Sequence, residues 1–243
     1  MGKVIVVASG KGGTGKTTAV GAISSCLGAL GHRTLCIDCD MGLRNLDLTL
    51  GMSDFTVSDL SHVLGGSAAL DEVAAPHPEI ENLWFLSAPA VPFSGNCGDM
   101  KALTDEAREK FDFCMLDAPA GLGSGFSLAA AGADMAVIVT TGDLSSLRDG
   151  QAAAAKLRQS GLSDIRLLVN RVRPRALRRM ETTIDDMIDS VGAQLIGVVR
   201  EDRHVSDAAN REIPLVLFSQ RGACTDFLQT ARRIAGESLP IKF

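Results

Sequence analysis

Two lysines bracket a run of glycines near the start of the chain, in Ser9-Gly10-Lys11-Gly12-Gly13-Thr14-Gly15-Lys16-Thr17-Thr18. From Gly10 to Thr17 the spacing is G-x-x-x-x-G-K-T, preceded by a strand-like run over residues 3–9 and followed by a helix-like stretch. A loop in that context cradles phosphate: glycines let backbone N–H groups turn inward, and the helix start adds partial positive charge. The expected cradle is Gly10, Gly12, Gly13, Thr14, Gly15, Lys16, Thr17 and Thr18. Lys16 neutralises the β- and γ-phosphates and the Thr17 hydroxyl ligates Mg²⁺. Lys11 has no role in this motif.

A metal–triphosphate site also needs carboxylates, because Mg²⁺ keeps waters that oxygen acceptors must hold. The apolar run "RTLCID" ends in Asp38 and "FDFCMLD" ends in Asp117. Strand ends on one edge of a doubly wound sheet are where such folds bind ligands, so Asp38 and Asp117 join Thr17 as expected metal ligands. These parts suit phosphoryl transfer to water, in which positioning and charge neutralisation do most of the work. Asp40, two residues beyond Asp38, is the expected acceptor that orients the attacking water.

To place these groups the chain needs parallel strands with crossover helices. Apolar runs over 3–9, 33–38, 83–87, 113–117, 135–140, 165–170 and 194–199 read as strands covered on both faces. They alternate with helical stretches over 16–30, 101–111, 145–160, 182–190 and 222–236, several closed by glycine. The expected fold class is α/β, a doubly wound, mostly parallel sheet with helices on both faces. No repeat or linker interrupts residues 1–243, so one domain is expected, with a loop over 88–100.

The 243 residues carry a net charge of −5, which argues against a surface built for nucleic acid. The chain holds no run of about 20 apolar residues and begins directly with a strand, which predicts a cytoplasmic location. Six cysteines at irregular positions read as reduced thiols. Cys36 and Cys39 form C-x-x-C, but alternation on a strand sends them to opposite faces.

The whole set resembles the MinD/ParA family of P-loop ATPases, whose deviant phosphate loop reads K-G-G-x-G-K-T. Further matches are "IDCDMGLRNLDLTLG" (37–51), "LDAPAGLGSG" (116–125), "TTGDLSSLRDG" (140–150), "LLVNRVRP" (167–174) and "IGVVREDRHVSDAANREIP" (196–214). The "GLRNLDL" run resembles the MinD branch. The resemblance implies ATP and ADP as ligands with Mg²⁺, and slow, partner-stimulated hydrolysis. It implies that Lys11 reaches the partner subunit's ATP, so that ATP-bound chains dimerise. Lys11, Lys16 and Asp40 then form the expected catalytic set. Asn170 is expected at the adenine, with Asp202 beside it in the "RED" segment; Arg200 stands where the family usually has proline, and so does Gly142. Partners of the MinC and MinE kind and division-site placement are implied, with peripheral contact at the inner face of the membrane. A C-terminal amphipathic targeting helix is usual in this branch, and the sequence through 236–243 predicts none here.

Other readings remain open at this stage. A relative that positions flagella, plasmids or chromosomes shares most of these motifs, and a metal-cluster maturation ATPase has only the C-x-x-C for support. The arginines at 171, 173, 175, 178 and 179 are expected to pair with carboxylates of residues 181–189, with anionic lipid or nucleic-acid phosphate as the alternative. The four histidines show no metal-ligand spacing.

Overall fold

The computed structural model describes residues 1–41, 44–55, 58–89, 95–173 and 182–241. Among them is a single eight-stranded sheet. In chain order the elements begin with β1 (Lys3–Ala8), α1 (Lys16–Ala29), β2 (Thr34–Asp38), α2 (Leu46–Leu50), α3 (Leu60–Leu64) and α4 (Leu70–Val73). Then come β3 (Ala75–Pro76), β4 (Leu83–Leu86), α5 (Cys97–Lys110), β5 (Phe113–Asp117), α6 (Ser124–Ala129), β6 (Met135–Thr140) and α7 (Leu144–Gln159). The chain closes with β7 (Ile165–Val172), α8 (Ile184–Val191), β8 (Gln194–Arg200), α9 (Arg203–Ala209), α10 (Leu215–Phe218) and α11 (Ala223–Ile234).

The strand order is β3-β4-β2-β5-β1-β6-β7-β8, and only the short β3 runs antiparallel to its neighbour. Side-chain alternation along each strand splits the core into two layers. Val4, Val6 and Ala8 of β1 face a layer built with α5, α6, α7 and α8. Ile5 and Val7 face the other, against α1, α2, α10 and α11. Cys36 and Cys39 fall in opposite layers, as alternation requires, and the six cysteines are free thiols.

The seven long strands and five long helices fall where the apolar pattern places them. The helix expected from 101 instead starts at Cys97, because Asn96 caps it by accepting from the N–H groups of Gly98 and Asp99. It takes over part of the expected loop, of which residues 90–94 lie outside the described set. The short helices between 46 and 73 have too few turns to show a period in the sequence. No helix among the described residues is long and apolar enough to cross a membrane.

Candidate nucleotide site

The chain leaves β1 in the middle of the sheet, with β5 on one side and β6 on the other. Its crossover through α1 leads to β2, so the β1–α1 loop opens at the point where strand order reverses, beyond the carboxyl ends of the strands. The glycines of this loop meet specific demands. Gly15 precedes α1 in a left-handed conformation at φ 89°, and a methyl group there would lie 2.3 Å from Asn170 Nδ2. A methyl on Gly10 would lie 2.2 Å from the Asp149 carbonyl oxygen of α7.

Lys16, the first residue of α1, is buried and donates to Asp117 Oδ1 at 2.8 Å. Asp117 ends β5 directly beside Asp38 at the end of β2, because the two strands pair Asp38 with Asp117 in register. Both carboxylates are 1% exposed, so the fold buries two acids side by side with one lysine. Burial pushes the Asp38 carboxyl up to about 7, and the neighbouring Asp117 adds to the rise. Burial also raises Asp117, against the pull of Lys16 and the Thr17 hydroxyl. Asp117 Oδ2 is buried and makes no hydrogen bond among the described residues.

That arrangement fits a hard divalent cation. It offers two adjacent carboxylates that repel one another, a free oxygen lone pair and the Thr17 hydroxyl at the loop's end. Asp40 is half-buried, and its N–H donates to Asp38 Oδ1 at 2.8 Å, which fixes the turn leaving β2.

The chain as a whole is similar to known proteins. Residues 5–215 match the family model described as the CobQ/CobB/MinD/ParA nucleotide binding domain. The chain is 34% identical over 248 residues to the septum site-determining protein MinD of Bacillus subtilis, covering 100% of this chain and 92% of that one. The chain belongs to the MinD/ParA family. Among solved structures, the MinC:MinD cell division protein complex of Aquifex aeolicus superposes with a TM-score of 0.92 at 33% identity, covering 99% of each chain. The Pyrococcus horikoshii septum site-determining protein MinD, complexed with Mg-ADP, superposes at 0.85 with 28% identity over 97% of each chain.

Within this MinD/ParA framework the second lysine has a partner in its own chain. Lys11 Nζ lies 3.2 Å from Asp143 Oδ1, with the two side chains 36% and 53% exposed. Asp143 caps α7 by accepting from Ser146 N–H, and it also accepts from the Thr141 hydroxyl. Those donors, Thr141 foremost, followed by Ser146 N–H and Lys11, hold its carboxyl down to about 2.

A cleft of about 620 Å³ opens beside the loop, lined by Thr18, Asn170, Arg171, Glu201, Asp202 and Val205 among others. It joins the helix end of the β1–α1 loop to the carboxyl ends of β7 and β8. Asn170 lines it, but its amide is also engaged: Nδ2 donates to the Thr14 carbonyl at 2.9 Å and Oδ1 accepts from Arg171 N–H. Asp202 is structural as well as cleft-lining. One oxygen accepts from His204 N–H as the cap of α9, and the other accepts from Ala223 N–H at the start of α11.

Asp143 and the pairing of Arg200 with Asp226 escaped the sequence reading. Asp143 carried a signal, since an aspartate just before a helical run is a cap signature. Arg200, in place of the family's proline, forms a two-pronged pair with the buried Asp226 of α11 at 2.7 and 2.8 Å. No local pattern announces that pair, because 26 residues separate its members. Of the arginine cluster, Arg173 pairs with Glu201 rather than with residues 181–189, while residues 174–181 lie outside the described set.

Proposed function

We propose that the chain is a MinD-like ATPase switch, with ATP hydrolysed at the β1–α1 loop and Mg²⁺ held by Thr17, Asp38 and Asp117. The observation that carries this reading is the buried Asp38–Asp117 pair beneath Lys16, with one carboxylate oxygen left open. Bound there, Mg²⁺ would offset the charge of both the carboxylates and the phosphates. Lys16 neutralises the β- and γ-phosphates, the loop N–H groups from Gly10 to Thr18 hold their oxygens, and Asp40 orients the attacking water. Asn170 holds the loop in shape and presents the base side of the cleft, with Asp202 fixing the helix that closes it.

Lys11 acts across a dimer, stabilising charge on the partner subunit's nucleotide, so ATP binding and dimerisation are linked equilibria. The dimer recruits regulatory proteins of the MinC and MinE kind for division-site placement. Hydrolysis is slow and partner-stimulated, and it resets the monomer. The protein works in the cytoplasm with peripheral contact at the inner face of the membrane.

The test is steady-state phosphate release with Mg-ATP, alongside Lys16→Ala and Asp40→Ala variants. Both variants are expected to lose turnover, and only Lys16→Ala to lose nucleotide affinity by calorimetry. Intact turnover in both would remove the site assignment. Sedimentation with anionic vesicles, with ATP against ADP, tests the membrane contact; equal recovery with the two nucleotides would refute a nucleotide-controlled one.

A further inference from the structure

Strand β7 is irregular where it reaches the cleft. Val169 pairs with Val198 and Val172 with Arg200, so three steps on β7 match two on β8. The extra residue makes a β-bulge, a device that re-aims a side chain and recurs beside active sites. Arg171 sits in it at φ 55°, a left-handed backbone that glycine adopts freely and an arginine adopts only under strain. A strained backbone kept at a cleft calls for a reason in the side chain.

The side chain points to the phosphate loop. A methyl group on Gly15 would lie 4.0 Å from Arg171 Nε, so the guanidinium stands at the loop's last glycine, where α1 begins. Its nearby acids are taken: Glu201 is bound by Arg173 through two nitrogens, and both Asp202 oxygens accept backbone N–H groups. Among the described residues no hydrogen bond or ion pair engages the Arg171 guanidinium. A planar cation with the Glu201 charge near it but no acid hydrogen-bonded to or ion-paired with it therefore stands where the phosphate loop meets the cleft, while its own N–H locks Asn170 against Thr14.

From this geometry we infer that Arg171 is a nucleotide-binding residue whose guanidinium holds the α-phosphate. The inference rests on the nucleotide reading of the site and adds a cation that the glycine-rich motif does not contain. A guanidinium suits this role through its paired donors, which match two phosphate oxygens at once. The bulge supplies the aim, and the strain is retained because regular pairing would turn the side chain to the other face of the strand.

Calorimetry with Mg-ATP and Mg-ADP on the wild type, Arg171→Gly and Arg171→Lys tests this, with thermal melting of each protein without nucleotide. Arg171→Gly removes strain and charge together, so its melting temperature is expected to hold or rise. Its affinity for ATP and ADP is expected to fall by the same factor, on the order of 10- to 100-fold. Arg171→Lys keeps the charge and is expected to recover part of the loss. Unchanged affinity in Arg171→Gly, a loss confined to ATP, or a lysine no better than glycine would each overturn the assignment. Should the glycine variant fail to fold, Arg171→Asn takes its place, since asparagine tolerates the left-handed backbone. Wild-type protein that binds neither nucleotide would instead sink the reading of the whole site, which is a separate outcome.

Discussion

If Lys11 must cross to a partner subunit, its pair with Asp143 has to break first, and that competition can be measured. Asp143→Asn removes the charge while keeping the helix cap, since asparagine and aspartate cap equally well. The pair spans 3.2 Å with its side chains 36% and 53% exposed, so solvent screens it. Exposed pairs of this kind contribute about 0.2–1 kcal/mol, or about 1.4- to 5-fold in an equilibrium constant. A symmetric dimer releases two such pairs, so the gain is squared. In an Asp40→Ala background, with ATP, the dimer dissociation constant is expected to fall by about 2- to 30-fold. Sedimentation velocity reads the constant, and a melting temperature within about 1 °C of the parent verifies that the cap survives. The gain is expected to shrink at high salt, where the pair is already screened. The Asp143 carboxyl titrates near 2, below its ordinary value, so the latch is complete above about pH 4 and is lost only as pH falls towards 2. The variant's advantage is therefore constant across the physiological range. Weaker or unchanged dimerisation in Asp143→Asn would refute the competition.

Three further outcomes test other parts of the site. Asn170→Ala is expected to lower stability in urea by about 1–3 kcal/mol, because the buried Asn170 amide bonds both Thr14 and Arg171, and to weaken ATP binding through the freed loop. Gly10→Ala forces a methyl group to within 2.2 Å of the Asp149 carbonyl oxygen; calorimetry is expected to show nucleotide affinity reduced more than about tenfold. His77 is held neutral in the core: Nε2 donates to the Leu50 carbonyl, Nδ1 accepts from Glu79 and Ile80 N–H, and burial lowers its pKa. With the folded value below the unfolded one of about 6.5, the unfolded chain takes up more protons as pH falls, so this contribution is present above about pH 7 and lost below it. Asp38 titrates in the opposite sense, being raised, so the readout is the urea-midpoint difference between wild type and His77→Gln, expected to narrow from pH 7.5 to pH 5.

The site was legible in the sequence to the extent that its chemistry is local. Gly10 through Thr18 are one contiguous stretch of loop and helix start, and Asp38 and Asp117 each announce themselves at the end of an apolar run. Neither run states that the other lies beside it. The Asp38–Asp117 register, and with it the burial that drives Asp38 up to about 7, comes from the pairing of β2 with β5. Asn170 shows the same divide: its position directly after the apolar run "LLV" is visible in the sequence, but its bond to Thr14 joins residues 156 apart. Arg171 is the extreme case, since a bulge exists only relative to the neighbouring strand and no spacing within "LLVNRV" encodes it. The phosphate-holding residues of the glycine-rich motif can thus be read from one stretch of chain, whereas Arg171 and the residues that aim or restrain the loop depend on pairings between distant segments. This division predicts where changes act. Substitutions at residues that contact phosphate, Lys16 at the loop and Arg171 in the bulge, weaken nucleotide binding directly, while substitution at Asn170 adjusts how readily the loop reaches its working shape, so the effect of Asn170→Ala on ATP binding is expected to be non-additive with those of Gly10→Ala and Arg171→Gly.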